Sequence, residues 1–139
     1  MSWRAWTEEG FGIQLLTGDN LDAIKAFVRK RIDQEDDRID EIDELEDEYD
    51  FYDMFDEPLA HLIAGFIRDE TGYNSICGYD SCGDTNSPAY IGFCTGEPWS
   101  FEGKDKTLTK YKAIEVLNKY AKELEIDMVP DYFTAEYCG

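Results

Sequence analysis

The chain has 139 residues, 42% of them hydrophobic and 14% aromatic, enough to bury a real core as one domain spanning residues 1–139. Its 32 acidic residues against 13 basic ones give a net charge of −19, which argues against direct binding to nucleic acid or to an anionic membrane and favours basic proteins or cations as partners. No apolar run approaches the ~18 residues that span a bilayer, and the first six residues lack the basic start and apolar core of a signal peptide, so a cytoplasmic protein with reduced thiols is expected.

In chain order, FGIQLL at residues 11–16 predicts an N-terminal strand. Gly18 and Asp19 end it, and Asp19 or Asn20 is placed to cap a helix over residues 21–32 whose core face is Leu21, Ile24, Phe27, Val28 and Ile32. Pro58 suits the first turn of a helix with Leu59, Leu62, Ile63, Phe66 and Ile67 inward, stopped by Gly72. The sole histidine, His61, falls off that stripe and reads as a surface residue. Residues 74–79 and 89–94 read as two strands of an antiparallel hairpin across the turn-rich DSCGDTNSP. A helix over residues 107–124 follows, with Tyr111, Ile114, Leu117, Tyr120, Ala121 and Leu124 as its buried face. Pro130 breaks the chain before a last strand over residues 131–138. The order β-α-α-α-β-β-α-β predicts an α+β fold with a small, mainly antiparallel sheet packed with helices, one of them strongly acidic.

That acidic element is residues 33–57, DQEDDRIDEIDELEDEYDFYDMFDE. Fifteen of its 25 residues are Asp or Glu and only Arg38 is basic, so it carries most of the chain's net charge. It is not featureless: Ile39, Ile42, Leu45, Tyr49, Tyr52 and Phe55 recur at spacings of three or four, which predicts a helix with a thin apolar seam and a broad carboxylate face. A 25-residue helix spans roughly 38 Å. Its charges would then fall about every 2.7 Å, between the ~1.7 Å of a DNA duplex and the ~3.4 Å of a single strand. The seam also allows a different use, pairing of Ile39, Ile42, Leu45 and Tyr49 with a second copy or a partner helix as an oligomerisation module. The six lysines between residues 104 and 122 form the one basic segment large enough to answer the acidic run within the same molecule.

Signatures of chemistry are sparse. Cys77, Cys82, Cys94 and Cys138 could close a tetrahedral zinc site, but their spacing lacks the paired C-x2-C knuckles of such sites. A calcium loop begun at Asp80 fails because Thr85 stands where Gly is required and Ile91 where the last Glu belongs. Asp84, Glu102 and Lys104 echo the carboxylate-and-lysine set of metal-dependent nucleases, an enzymatic alternative that a net charge of −19 opposes, since the substrate is itself a polyanion. No phosphate loop or nucleophile motif is present. Neither catalysis nor a metal or cofactor is expected.

In composition and spacing, residues 33–57 resemble the small acidic inhibitors of phages and mobile elements, anti-CRISPR and anti-restriction proteins that act as DNA mimics. The resemblance implies a non-enzymatic inhibitor in a bacterial host's cytoplasm, covering the basic nucleic-acid channel of a defence nuclease such as a CRISPR effector or restriction enzyme. The residues expected to carry it are Asp36, Asp37, Asp40, Glu41, Asp43, Glu44, Glu46, Asp47, Glu48 and Asp50, with Tyr49 and Tyr52 as aromatic anchors.

Overall fold

The computed structural model describes residues 5–80, 88–95, 105 and 107–138, with side chains given between residues 9 and 135. The fold is α+β, and its helices and strands follow the expected order except that the acidic segment forms two helices in place of one. They are β1 (Ala5–Gln14), α1 (Leu21–Arg31), a 3-10 helix (Asp37–Glu44), α2 (Glu48–Phe55), α3 (Leu59–Thr71), β2 (Ile76–Tyr79), β3 (Tyr90–Cys94), α4 (Lys110–Glu123) and β4 (Asp131–Cys138). The four strands form one sheet in the order β2-β3-β1-β4, with every neighbouring pair antiparallel.

Alternation assigns the two faces of the sheet. Phe11, Ile13, Ile76, Ile91 and Phe93 point to the side that carries the helices, where they join Ile24, Phe27, Ile63, Leu117 and Tyr120 in the main core. Tyr79, Phe133 and Ala135 form a smaller cluster on the other side, with Tyr90 stacked on Phe133 at 4.3 Å between ring centroids. Gly78 lets α3 approach β2: a Cβ there would lie 2.1 Å from the carbonyl oxygen of Ala60.

β1 is longer than the expected residues 11–16. Its first half, AWTEEG, has no strand pattern of its own but pairs with β4, from Ala5 opposite Cys138 to Gly12 opposite Asp131. Tertiary pairing overrides weak local preference here. Asn20 sits at the start of α1, yet its side chain makes no helix cap. Instead, its buried amide donates to the carbonyls of Leu15 (2.8 Å) and Leu124 (3.1 Å), stitching the turn after β1 to the end of α4. Tyr111, expected on the buried face of α4, is 80% exposed. The buried stripe runs through Ala113, Val116, Leu117, Tyr120 and Ala121, and Tyr111 lies beside it.

Candidate partner-binding surface

The acidic run is not one helix. Ile32, in extended conformation, ends α1, and the Gln34 amide donates to the carbonyls of Arg29 (3.1 Å) and Ile32 (2.9 Å) at that helix end. Asp36 then accepts from the N–H of Arg38 and starts the 3-10 helix. The apolar spacing explains the choice of helix. Ile39, Ile42 and Leu45 recur every three residues, so at three residues per turn they fall in one straight row. Ile42 and Leu45 are buried and Ile39 packs half-buried against the core.

The chain breaks again after Leu45, which is extended. Asp47 accepts from the N–H of Asp50 (3.0 Å), while the Asp50 carboxylate accepts from the N–H of Glu46 (2.7 Å), a reciprocal pair that fixes the start of α2. This break resets the phase. Phe51 becomes the fully buried residue of α2 and stacks against Phe55, while Tyr49 and Tyr52 turn outward at 67% and 48% exposure. Asp56 closes α2 in the left-handed conformation, at φ 58°. The seam expected to serve an oligomer is therefore divided: Ile42 and Leu45 serve the chain's own core, and Tyr49 faces out.

Of the twelve residues expected to meet a partner, Asp37, Asp40, Glu41, Asp43, Glu44, Glu46, Asp47, Tyr49 and Tyr52 are exposed, and Asp36, Glu48 and Asp50 are half-buried. The structure sorts the carboxylates by task. Asp36, Asp47 and Asp50 hold backbone N–H groups. Asp36 also takes a two-pronged hydrogen bond from Arg38, and that guanidinium draws its pKa down to about 2. Arg38 in turn donates to the carbonyl of Met54 (2.8 Å) and lies 4.9 Å from the Phe55 ring centre, tying the 3-10 helix to α2. Asp43 pairs with Arg29, and its carbonyl accepts from Lys25 (3.0 Å). Asp37, Asp40, Glu44 and Glu46 extend from this frame. Asp53, missing from the expected set, is exposed as well and lines an open groove of about 450 Å³ with Glu41, Glu44, Asp50 and the cationic Arg38.

Segmentation changes the charge spacing. The 3-10 helix carries five carboxylates and Arg38 over roughly 16 Å at ~2.0 Å per residue. Its net charges thus fall every ~4 Å, close to the ~3.4 Å of a single polynucleotide strand and well short of a duplex. Three lysines of α4 are engaged away from this surface. Lys112 pairs with Glu115 on its own helix, Lys110 lies over Phe11 and Tyr132, and Lys119 lies by the Tyr120 ring. Among the described residues, the cations that touch the acidic run come from α1 and from within the run itself, while Lys104 and Lys106 lie outside the described residues.

Behind this surface, Arg31 fastens three helices. Its side chain, 10% exposed, lies 3.6 Å over the Phe27 ring and donates to Glu70 of α3 and to Glu123 of α4 (2.9 Å from Nη2 to Oε1). Burial works against charge on Arg31, but the bonds to Glu123 and Glu70 outweigh it and raise its pKa. The same pairing holds Glu123 below the usual carboxylate range; for Glu70, burial is outweighed by the bonds from Arg31 and Tyr120. Burial and the bond to Glu70 (2.9 Å) push the Tyr120 hydroxyl up to about 12.

Cys77 pairs with Gly92, two residues from Cys94 on the same face of β3, but the backbone of Cys138 lies apart from them. Cys94 pairs with Gly10 on β1 whereas Cys138 pairs with Ala5, five residues or ~17 Å further along the sheet. Cys82 lies outside the described residues, as do Asp84, Glu102 and Lys104 of the nuclease-like set. Among the described residues no three His, Cys, Asp or Glu side chains are gathered to hold a metal ion, and no helix is long and apolar enough to cross a membrane. His61 is exposed on α3. No protein-family model, curated protein or solved structure matches the chain.

Proposed function

We propose that this chain is a non-enzymatic inhibitor that covers the basic nucleic-acid-binding surface of another protein, a defence nuclease such as a CRISPR effector or restriction enzyme, in the place a polynucleotide would take. The observation that carries the reading is the outward array of Asp37, Asp40, Glu41, Glu44 and Glu46 on a backbone pinned from below by Arg38, Lys25 and Ile42. The ~4 Å charge spacing of the 3-10 helix, which carries four of these five, suits a groove built for one strand. An array held in place in advance loses little conformational freedom on binding, and the field of a −19 molecule would speed encounter with a cationic partner.

The test uses the chain as bait on bacterial lysate, elution by a salt gradient, and competition by single-stranded DNA, followed by nuclease assays on what is captured. Captured nucleases are expected to leave with rising salt, to be displaced by DNA and to be inhibited by the chain. Reversing Asp37, Asp40, Glu44 and Glu46 to lysine abolishes capture and inhibition while circular dichroism stays unchanged. These four are chosen because Asp43 and Asp47 also hold the fold together. Inhibition that survives the reversal defeats the proposal.

A further inference from the structure

We infer that the cleft between the outer face of α2 and the start of α3 seats an arginine side chain of the protein bound by the acidic segment, an inference that rests on the reading just given. The cleft holds about 250 Å³ and, among the described residues, is lined by Glu48, Tyr49, Tyr52, Pro58, Leu59 and Asp80. Small-molecule sites run from ~300 to 1,000 Å³, so its size suits a single long side chain better than a cofactor. Its walls are of two kinds, aromatic or apolar surface and carboxylate, and none of these six residues is basic.

The fold uses this combination twice for its own arginines. Arg31 lies on Phe27 between Glu70 and Glu123, and Arg38 lies by Phe55 with its fork on Asp36. Tyr49 and Tyr52 present the same elements outward. Spaced i, i+3, they share one helix face, and they stand exposed inside the most negative segment of the chain, where hydration rather than burial surrounds them. A guanidinium stacks flat on an aromatic face and sheds water more easily than an ammonium, so this cleft discriminates arginine from lysine. The rest of the acidic segment attracts both alike.

The test is a fluorescence-anisotropy titration of the full chain with capped deca-arginine and deca-lysine peptides at matched low ionic strength. Lysine also makes cation–π contacts, as Lys110 and Lys119 do in this fold, so only the margin between the two cations is read, and about two- to fivefold tighter binding of the arginine peptide is expected. Tyr49→Ala with Tyr52→Ala removes that preference by weakening arginine binding more than lysine binding, whereas Tyr49→Phe with Tyr52→Phe keeps it, because the rings remain. Equal affinity of the unaltered chain for the two peptides, or an alanine variant that weakens both equally, overturns the arginine seat while leaving the acidic surface standing. Failure of both peptides to bind overturns the acidic-surface reading, and the arginine seat falls with it.

Discussion

Arg31 is the residue on which α1, α3 and α4 converge, so its removal is felt by all three helices. Taking one partner out of a largely buried charge cluster strands the others. Glu70 and Glu123 keep partial contact with solvent, so Arg31→Met is expected to cost about 2–3 kcal/mol, below the ~3–5 kcal/mol of fully buried pairs. The pH dependence has a definite sign. Both carboxylates are held below their ordinary range when folded, so the folded chain binds fewer protons at these sites than the unfolded one. Their contribution is complete above the unfolded Glu value of about 4.3 and fades as pH falls through the lower folded values. Urea melts at neutral pH and near pH 3 should therefore show the gap between the unaltered chain and Arg31→Met narrowing on acidification. A gap that stays constant would mean these carboxylates do not depend on Arg31. The cluster was only partly legible in the sequence: basic residues in the last turn of α1 were visible, but Glu70 and Glu123 lie 39 and 92 residues further on.

At the scale of the element, the acidic segment shows where periodicity misleads. Spacings of three and four suggested one long helix, yet a run of strict threes is the natural period of a 3-10 helix, and the Asp47–Asp50 pair restarts the count. Phe51 was overlooked because it falls out of phase with Ile39 and Ile42 unless the break is known. Its burial gives a direct check by thermal or urea unfolding. Phe51→Ala should cost about 3–5 kcal/mol, as expected for an aromatic removed from a packed core, while Tyr49→Ala should stay within about 0.5 kcal/mol. Equal costs at the two positions would restore the single-helix phasing. Seven of the ten carboxylates expected at the surface are exposed and Asp36, Glu48 and Asp50 are half-buried, because composition reports exposure only coarsely and says nothing of which carboxylates serve as caps.

For the whole molecule, a net charge of −19 on 139 residues makes self-repulsion part of the stability balance. Among the described residues, the exposed or half-exposed ion pairs Arg29–Asp43, Arg38–Asp36 and Lys112–Glu115 offset little of it individually. Added salt is expected to raise the melting temperature between about 10 and 500 mM NaCl, as the Debye length shrinks from ~30 Å toward a few ångströms. A flat or falling response would show that local pairs already balance the repulsion. The order of elements was legible because helix and strand periods, caps and Pro130 mark each one locally. The strand order β2-β3-β1-β4 was not, since nothing local says that β1 takes a central place. That placement has a kinetic consequence. The ladder between β1 and β4 joins partners 119 to 133 residues apart, from Gly12–Asp131 to Ala5–Cys138. Such distant contacts repay their loop-closure entropy late, which slows folding. On a ribosome, β1 would wait with one edge unpaired until β4 had emerged, an open strand during the interval when such edges are most prone to aggregate.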